Sequence, residues 1–188
     1  MKFIIAGNYN GDPETLAQRH VEGAVQFKEF EDLKKFAIIM NLLALVVLVL
    51  LEVLAWLRSG EIAADLLGCV LALVCMVPHE FLHAVCFRGE VKMYNNLKQG
   101  MLFVLGTEDM SKAQYVFMSM LPNLVFGFIP FLIFMIFPQF TVLGTMGALG
   151  ICAGAGDYTN VYNCLTQVPK GAAVFSSGIH TYWYHPKH

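Results

Sequence analysis

The residues His79-Glu80-Phe81-Leu82-His83 form an H-E-x-x-H pattern. On a helix the two histidines lie on one face, about 6 Å apart, so both imidazoles can bind one metal ion. Glu80 sits about 100° further round and can reach a metal-held water as a general base. The chemistry this spacing serves is hydrolysis at a zinc ion. The pattern also lies inside a long apolar run, where each ionisable residue costs about 2.5 kcal/mol or more near a bilayer centre. A hydrated polar patch at a helix end is the bland account, and three ionisable groups at this spacing favour the metal.

The elements that must position this motif are apolar. Of 188 residues, 57% are hydrophobic and only 14% charged, with a mean hydropathy of +0.59. Soluble domains carry about 25% charged residues. The composition excludes a disordered chain, a basic nucleic-acid-binding face and a disulfide-stapled secreted module, and the net charge of -2 offers nothing to a polyanion. The five cysteines, odd in number and set in or beside apolar runs, read as small packing residues. The sequence is that of an integral membrane protein.

Four runs are long enough to cross a bilayer core, which takes about 20 apolar helical residues. They are Phe36 to Leu57, Ile62 to Phe87, Tyr115 to Phe137 and Phe140 to Leu165. No apolar segment with a small-residue cleavage site opens the chain, which argues against a cleaved signal peptide. Lys2, Arg19, Lys28, Lys34 and Lys35 precede the first run, Arg88, Lys92, Lys98 and Lys112 separate the second and third, and Lys170 and Lys187 follow the fourth. Only Arg58 falls on the other side, so the positive-inside rule makes both termini cytoplasmic and the protein a multi-pass cell-membrane protein. The expected fold is an all-α membrane protein of four transmembrane helices over residues 36–166, with small cytoplasmic β-rich extensions at 1–35 and 167–188.

Depth selects the ligands. A hydrolytic zinc ion takes three protein ligands and keeps one position open. At about 1.5 Å per residue, His79 and His83 lie roughly 6–14 Å inside the cytoplasmic end of the second span. Asp157 lies about 12 Å inside the same end of the fourth span, which contains no cation to pair with it. Glu52 sits near the opposite surface, and Asp65 lies about 21 Å from His79 along one helix. Glu108 and Asp109 qualify only if their loop folds back. Asn123, about 12 Å deep in the third span, and Asn160 and Asn163 beyond Asp157, could orient a ligand or donate to a developing oxyanion. Interhelical hydrogen bonding is the equal alternative for each. Cys75 and Cys86 share the histidine face but read as packing residues, and His180, His185 and His188 as exposed tail residues without a metal role. The run Gly147, Gly150, Gly154, Gly156 would let the fourth span approach the second.

Outside the spans, KFIIA, GAVQF, MLFVL and the Thr181 to Tyr184 segment read as strands. Asp12 and Pro13 predict a helix start for Glu14 to Glu22, and Ser111 a cap for the third span. The MLFVL edge could hold an extended peptide by main-chain hydrogen bonds, or lie in the interface as an anchor.

HEFLHA inside a membrane span, with an aspartate in a later span, resembles the site-2 protease class of intramembrane zinc metalloproteases. The zincin peptidase family of small bacterial membrane proteins is a closer likeness. It is carried by GAVQFKE before the first span, SKAQYVFMSMLPN in the third, GAGDYTNVYN in the fourth and the VPKGA and TYWY tail segments. The resemblance implies Zn2+ as cofactor, His79 and His83 as ligands, Glu80 as base and Asp157 as third ligand. Site-2 proteases usually carry that aspartate in a Leu-Asp-Gly context, where this chain has Gly156-Asp157-Tyr158. The expected function is intramembrane hydrolysis of peptide bonds in membrane-embedded or membrane-adjacent polypeptides. The expected surroundings are membrane lipids, with no nucleic acid. A membrane metal-binding or transport protein using the same ligands is the alternative, and it has no need of Glu80 as a base.

Overall fold

The computed structural model describes residues 1–30, 33–96 and 101–186. Lys98, Lys187 and His188, and part of the charged run before the first span, lie outside the described residues. The chain divides into two compact units. One comprises Phe30–His79 and Met120–Thr159, the other Met1–Glu29, Glu80–Ser119 and Asn160–His188.

The first unit is helical. Helix α1 (Leu33–Ser59) is an unbroken run without Gly or Pro, and its apolar side chains are mostly exposed. Helices α2 (Leu66–Val74) and α3 (Met76–Ala84) follow each other through Cys75 and together form one apolar stretch. The second run thus starts later than Ile62. Asp65 caps α2, its Oδ1 accepting from Gly68 N at 3.1 Å, and its Oδ2 accepts from Thr141 Oγ1 at 3.2 Å. Glu52 accepts from Ala63 N at 2.7 Å. Glu52 therefore satisfies a backbone N–H of the 60–65 connection, and Asp65, at its end, ties the start of α2 to Thr141.

Helix α4 (Lys112–Asn123) runs into a π-helical turn at Leu124–Phe128 and then α5 (Ile129–Ile136). The start matches the sequence expectation in a specific way. Ser111 Oγ accepts from Gln114 N while Gln114 Oε1 accepts from Ser111 N, a reciprocal capping box. Three helical stretches, Lys35–Ser59, Leu66–Ala84 and Lys112–Ile136, are long and apolar enough to cross a membrane.

The fourth expected span differs. It is divided at Gly154 into α6 (Thr141–Ala153) and α7 (Ala155–Gln167), so three qualifying spans rather than four are found among the described residues. The cause is local. Ile151 O takes Gly154 N at 3.3 Å and the Tyr158 hydroxyl at 2.9 Å, so the α6 ladder closes early.

The glycine run also packs differently from expectation. A Cβ on Gly147 would meet Phe131 N and, at 2.8 Å, Gly127 O, and one on Gly150 would meet Phe126 O. These glycines let α6 lie against the π turn and α5, which belong to the third span. The close approach to α2 is made by Gly68, whose Cβ would stand 2.6 Å from Thr145 Cβ.

The second unit holds residues 80–84 of α3, 112–119 of α4 and 160–167 of α7 together with two sheets, so the chain is not purely helical. Strands β1 (Lys2–Asn8), β3 (Glu90–Asn96) and β4 (Met101–Gly106) form one sheet in the order β1-β3-β4. In it β1 and β3 run parallel, and β3 and β4 antiparallel with Tyr94 opposite Phe103. Strands β2 (Val25–Gln26), β5 (Met110–Ser111), β6 (Ala173–Ser177) and β7 (His180–Tyr184) form the other, in the order β2-β7-β6-β5. Its core gathers Phe27, Ala84, Phe87, Val91, Met118, Cys164 and Val174. The expected 14–22 helix is only a single turn at Pro13–Thr15. Asp12 caps it as expected, but the following backbone and side chains bond elsewhere: Arg19 N donates to Ser177 Oγ, and Gln18 Nε2 to Pro13 O. Tertiary partners there replace an i→i+4 ladder.

Two glycines of the run separate packing from backbone cost. Gly147→Leu should lower the unfolding free energy in detergent by about 1–3 kcal/mol through overpacking. Gly156→Ala, whose Cβ would meet nothing within 4 Å, should leave stability equal or raise it by about 0.5–1 kcal/mol, because Ala has less backbone freedom to lose.

Candidate metal centre

Helix α3 brings His79, Glu80 and His83 together: one ligand atom from each lies within 4.8 Å of the others. Each imidazole has a partner fitted to its task. His83 is buried, 6% exposed, and its Nδ1 lies 2.8 Å from Met118 O. A carbonyl only accepts, so Nδ1 carries the proton, the tautomer in which Nε2 is the ring's acceptor. His79 Nε2 lies 3.2 Å from Asp157 Oδ2, and both side chains are largely buried, 17% and 14% exposed. Asn123 Nδ2 donates to the same Asp157 oxygen at 2.7 Å.

These residues fit zinc. Nitrogen and oxygen ligands at about 2.0–2.1 Å in a tetrahedron stand about 3.3–3.4 Å apart. The His79–Asp157 separation is close to such an edge. A metal-binding histidine also usually donates its other ring N–H to a carbonyl or carboxylate, as His83 does.

Gly154 sets how Asn123 reaches Asp157. A Cβ on Gly154 would collide with Asn123 Oδ1, stand 2.6 Å from its Cγ and 2.8 Å from Tyr158 Cζ. Asn123 is fully buried, so it has nowhere to retreat. The break between α6 and α7 is therefore where the amide passes. The spacing of the glycine run in the sequence marked a close approach, but not this one.

The other sequence candidates find different partners. Asn163 Oδ1 accepts from Gln167 Nε2 at 3.0 Å, one turn along α7. Asn160 is half-buried on the same helix. Glu108 accepts from Arg88 N and Gly89 N, both at 2.6 Å, and so ties the turn after α3. Asp109 accepts from Arg19 Nη2 and from the Tyr184 hydroxyl, both at 2.9 Å. That bond pushes the Arg19 guanidinium pKa upward, and burial with the same carboxylate raises Tyr184. Cys86 Sγ points to Leu82 O on its own helix. His180 Nδ1 lies 2.8 Å from Glu29 Oε2, and His185 packs edge-on against Trp183.

Residues 72–173 match the model of a family described as "putative zincin peptidase", more than half the chain. The chain belongs to that family. No curated protein and no solved structure matches it. The matched zincin region contains α3, Asn123 and Asp157, so family membership and the His-Glu-His group point together to a zinc metallopeptidase.

Gly154→Ala should lower thermal stability in detergent by about 1–3 kcal/mol, since the new methyl displaces a buried amide. In an Asn123→Ser background the same change should cost markedly less, because the shorter side chain leaves room. A double-mutant cycle on unfolding free energies reads the coupling; additive costs would place the clash elsewhere.

Proposed function

We propose that the protein is an intramembrane zinc metallopeptidase of site-2-protease-like chemistry, with His79, His83 and Asp157 as zinc ligands and Glu80 as general base. The observation that carries this reading is Asp157 meeting His79 within an apolar helical unit, beside the HExxH turn of a zincin peptidase chain. Asn123 donates to the carboxylate and holds its oxygen toward His79. Zinc, when bound there, supplies an activated water and polarises the carbonyl it meets.

The rest is the work of the chain. Glu80, a half-buried side chain beside the His pair, takes the proton of the attacking water and passes it to the departing amine. Met118 O keeps His83 in one tautomer. The substrate is a polypeptide in or beside the membrane, because three stretches of this chain are apolar enough to span it. We place both termini and the site's opening on the cytoplasmic side, following the distribution of Lys and Arg. A helical peptide bond is shielded by its own hydrogen bonds, so the substrate must be extended. β4 is an edge strand of its sheet among the described residues, and such an edge suits that task.

Glu80→Gln should keep zinc and abolish peptide cleavage; cleavage at the native rate would exclude the mechanism, and a metal carrier would lose nothing. Asp157→Ala should lower zinc content of the purified protein sharply, as read by metal analysis, whereas Glu52→Ala should leave it unchanged. Unchanged zinc in Asp157→Ala would remove the aspartate from the ligand set.

Proline at Phe103 or Val104 removes a strand donor without touching the ligands. At one of these alternating positions it should slow turnover with zinc retained. Full activity in both variants would put the grip on the substrate elsewhere.

A further inference from the structure

Pro122 stands inside α4, within a continuous helix. An interior helical residue normally donates its N–H to the carbonyl four residues earlier, and proline has no N–H to donate. For Pro122 that carbonyl belongs to Met118. It is the same carbonyl that stands 2.8 Å from His83 Nδ1. Both sides of the contact are dry: His83 is 6% exposed, Met118 9%, and Pro122 is among the fully buried side chains. A buried imidazole N–H without an acceptor would be left with its full desolvation cost. Helix carbonyls are ordinarily engaged along their own ladder. A proline one turn further on frees one at this position, and its ring, crowding that carbonyl, tilts it off the helix axis.

We infer that Pro122 is a positioning residue: by withholding a helical N–H it dedicates Met118 O to His83 Nδ1, and so holds His83 with Nε2 unprotonated toward the metal. The inference rests on the zincin reading for its purpose, but the tautomer itself does not. The next residue along α4, Asn123, does the corresponding work for Asp157. Adjacent residues of one helix thus serve a histidine and a carboxylate. The π turn at Leu124–Phe128 that follows shows the ladder re-forming in a wider register after the gap.

A merely structural role makes the opposite prediction for the obvious variant. Pro122→Ala restores a good helix former and the missing N–H, so on structural grounds alone it should be neutral or stabilising, with the site unaffected. If Pro122 positions His83, the new N–H competes with the imidazole for Met118 O. The test uses full-length protein in detergent, with Pro130→Ala, another buried helical proline, as control.

Nitrogen NMR of histidine-labelled, zinc-free wild type should show His83 protonated at Nδ1. In Pro122→Ala its signals should move toward the Nε2-protonated form, without a drop in melting temperature. Chelator competition should then show zinc binding weakened about tenfold, the low end of the range for losing a ligand's hydrogen-bond partner. Pro130→Ala should change neither quantity.

An Nε2-protonated His83 in wild type would overturn the inference whatever becomes of the variant. So would an unchanged tautomer in Pro122→Ala, or wild-type zinc affinity in it. If the tautomer shifts as expected but wild type binds no zinc, Pro122 does position His83 and it is the zincin reading that fails.

Discussion

Oδ2 of Asp157 receives two neighbours, His79 Nε2 at 3.2 Å and Asn123 Nδ2 at 2.7 Å. A carboxylate with only 14% of its side chain exposed is costly unless its lone pairs are occupied. That requirement organises much around it. Asn123 must be buried to reach Asp157, Gly154 must lack a side chain for Asn123 to pass, and α6 must end where Gly154 lies. Each step follows from satisfying one charged group away from water. The break in the fourth apolar run is thus tied to the chemistry of its aspartate.

The histidines are held by the same economy with different means. His79 is placed by a side chain and His83 by a backbone carbonyl, so the two imidazoles of one helical turn answer to separate elements. Buried polar networks fix geometry best when every member has a partner. Four other carboxylates have partners of their own. Glu52 and Asp65 tie the 60–65 connection, Glu108 holds the turn after α3, and Asp109 joins Arg19 and Tyr184.

The β-rich unit adds what an apolar bundle lacks, a core built from strands with polar connections. Its buried cluster includes Ala84 and Phe87 directly after the HExxH turn, so the end of α3 is anchored by packing as well as by Glu108. Family membership over residues 72–173 covers this anchor together with α3, Asn123 and Asp157.

How much of this was legible in the sequence depends on the range of each interaction. HExxH is local: a helical repeat alone puts His79, Glu80 and His83 together. The Ser111–Gln114 capping box and the Asp12 cap are equally local and were readable from residue types. Helix rise and apolar length also set Glu52 and Asp65 apart in depth from Asp157. The tertiary structure decided what depends on partners far along the chain. It split the fourth run, because a tyrosine hydroxyl and a glycine N–H share the Ile151 carbonyl. It shortened the Glu14 to Glu22 helix, because Arg19 found Ser177, more than 150 residues away. It turned the glycine run toward the π turn and α5 rather than α2. It gave the Met118 carbonyl to His83, a role that no side-chain pattern announces, since the acceptor is backbone and its only trace in the sequence is a proline four residues on.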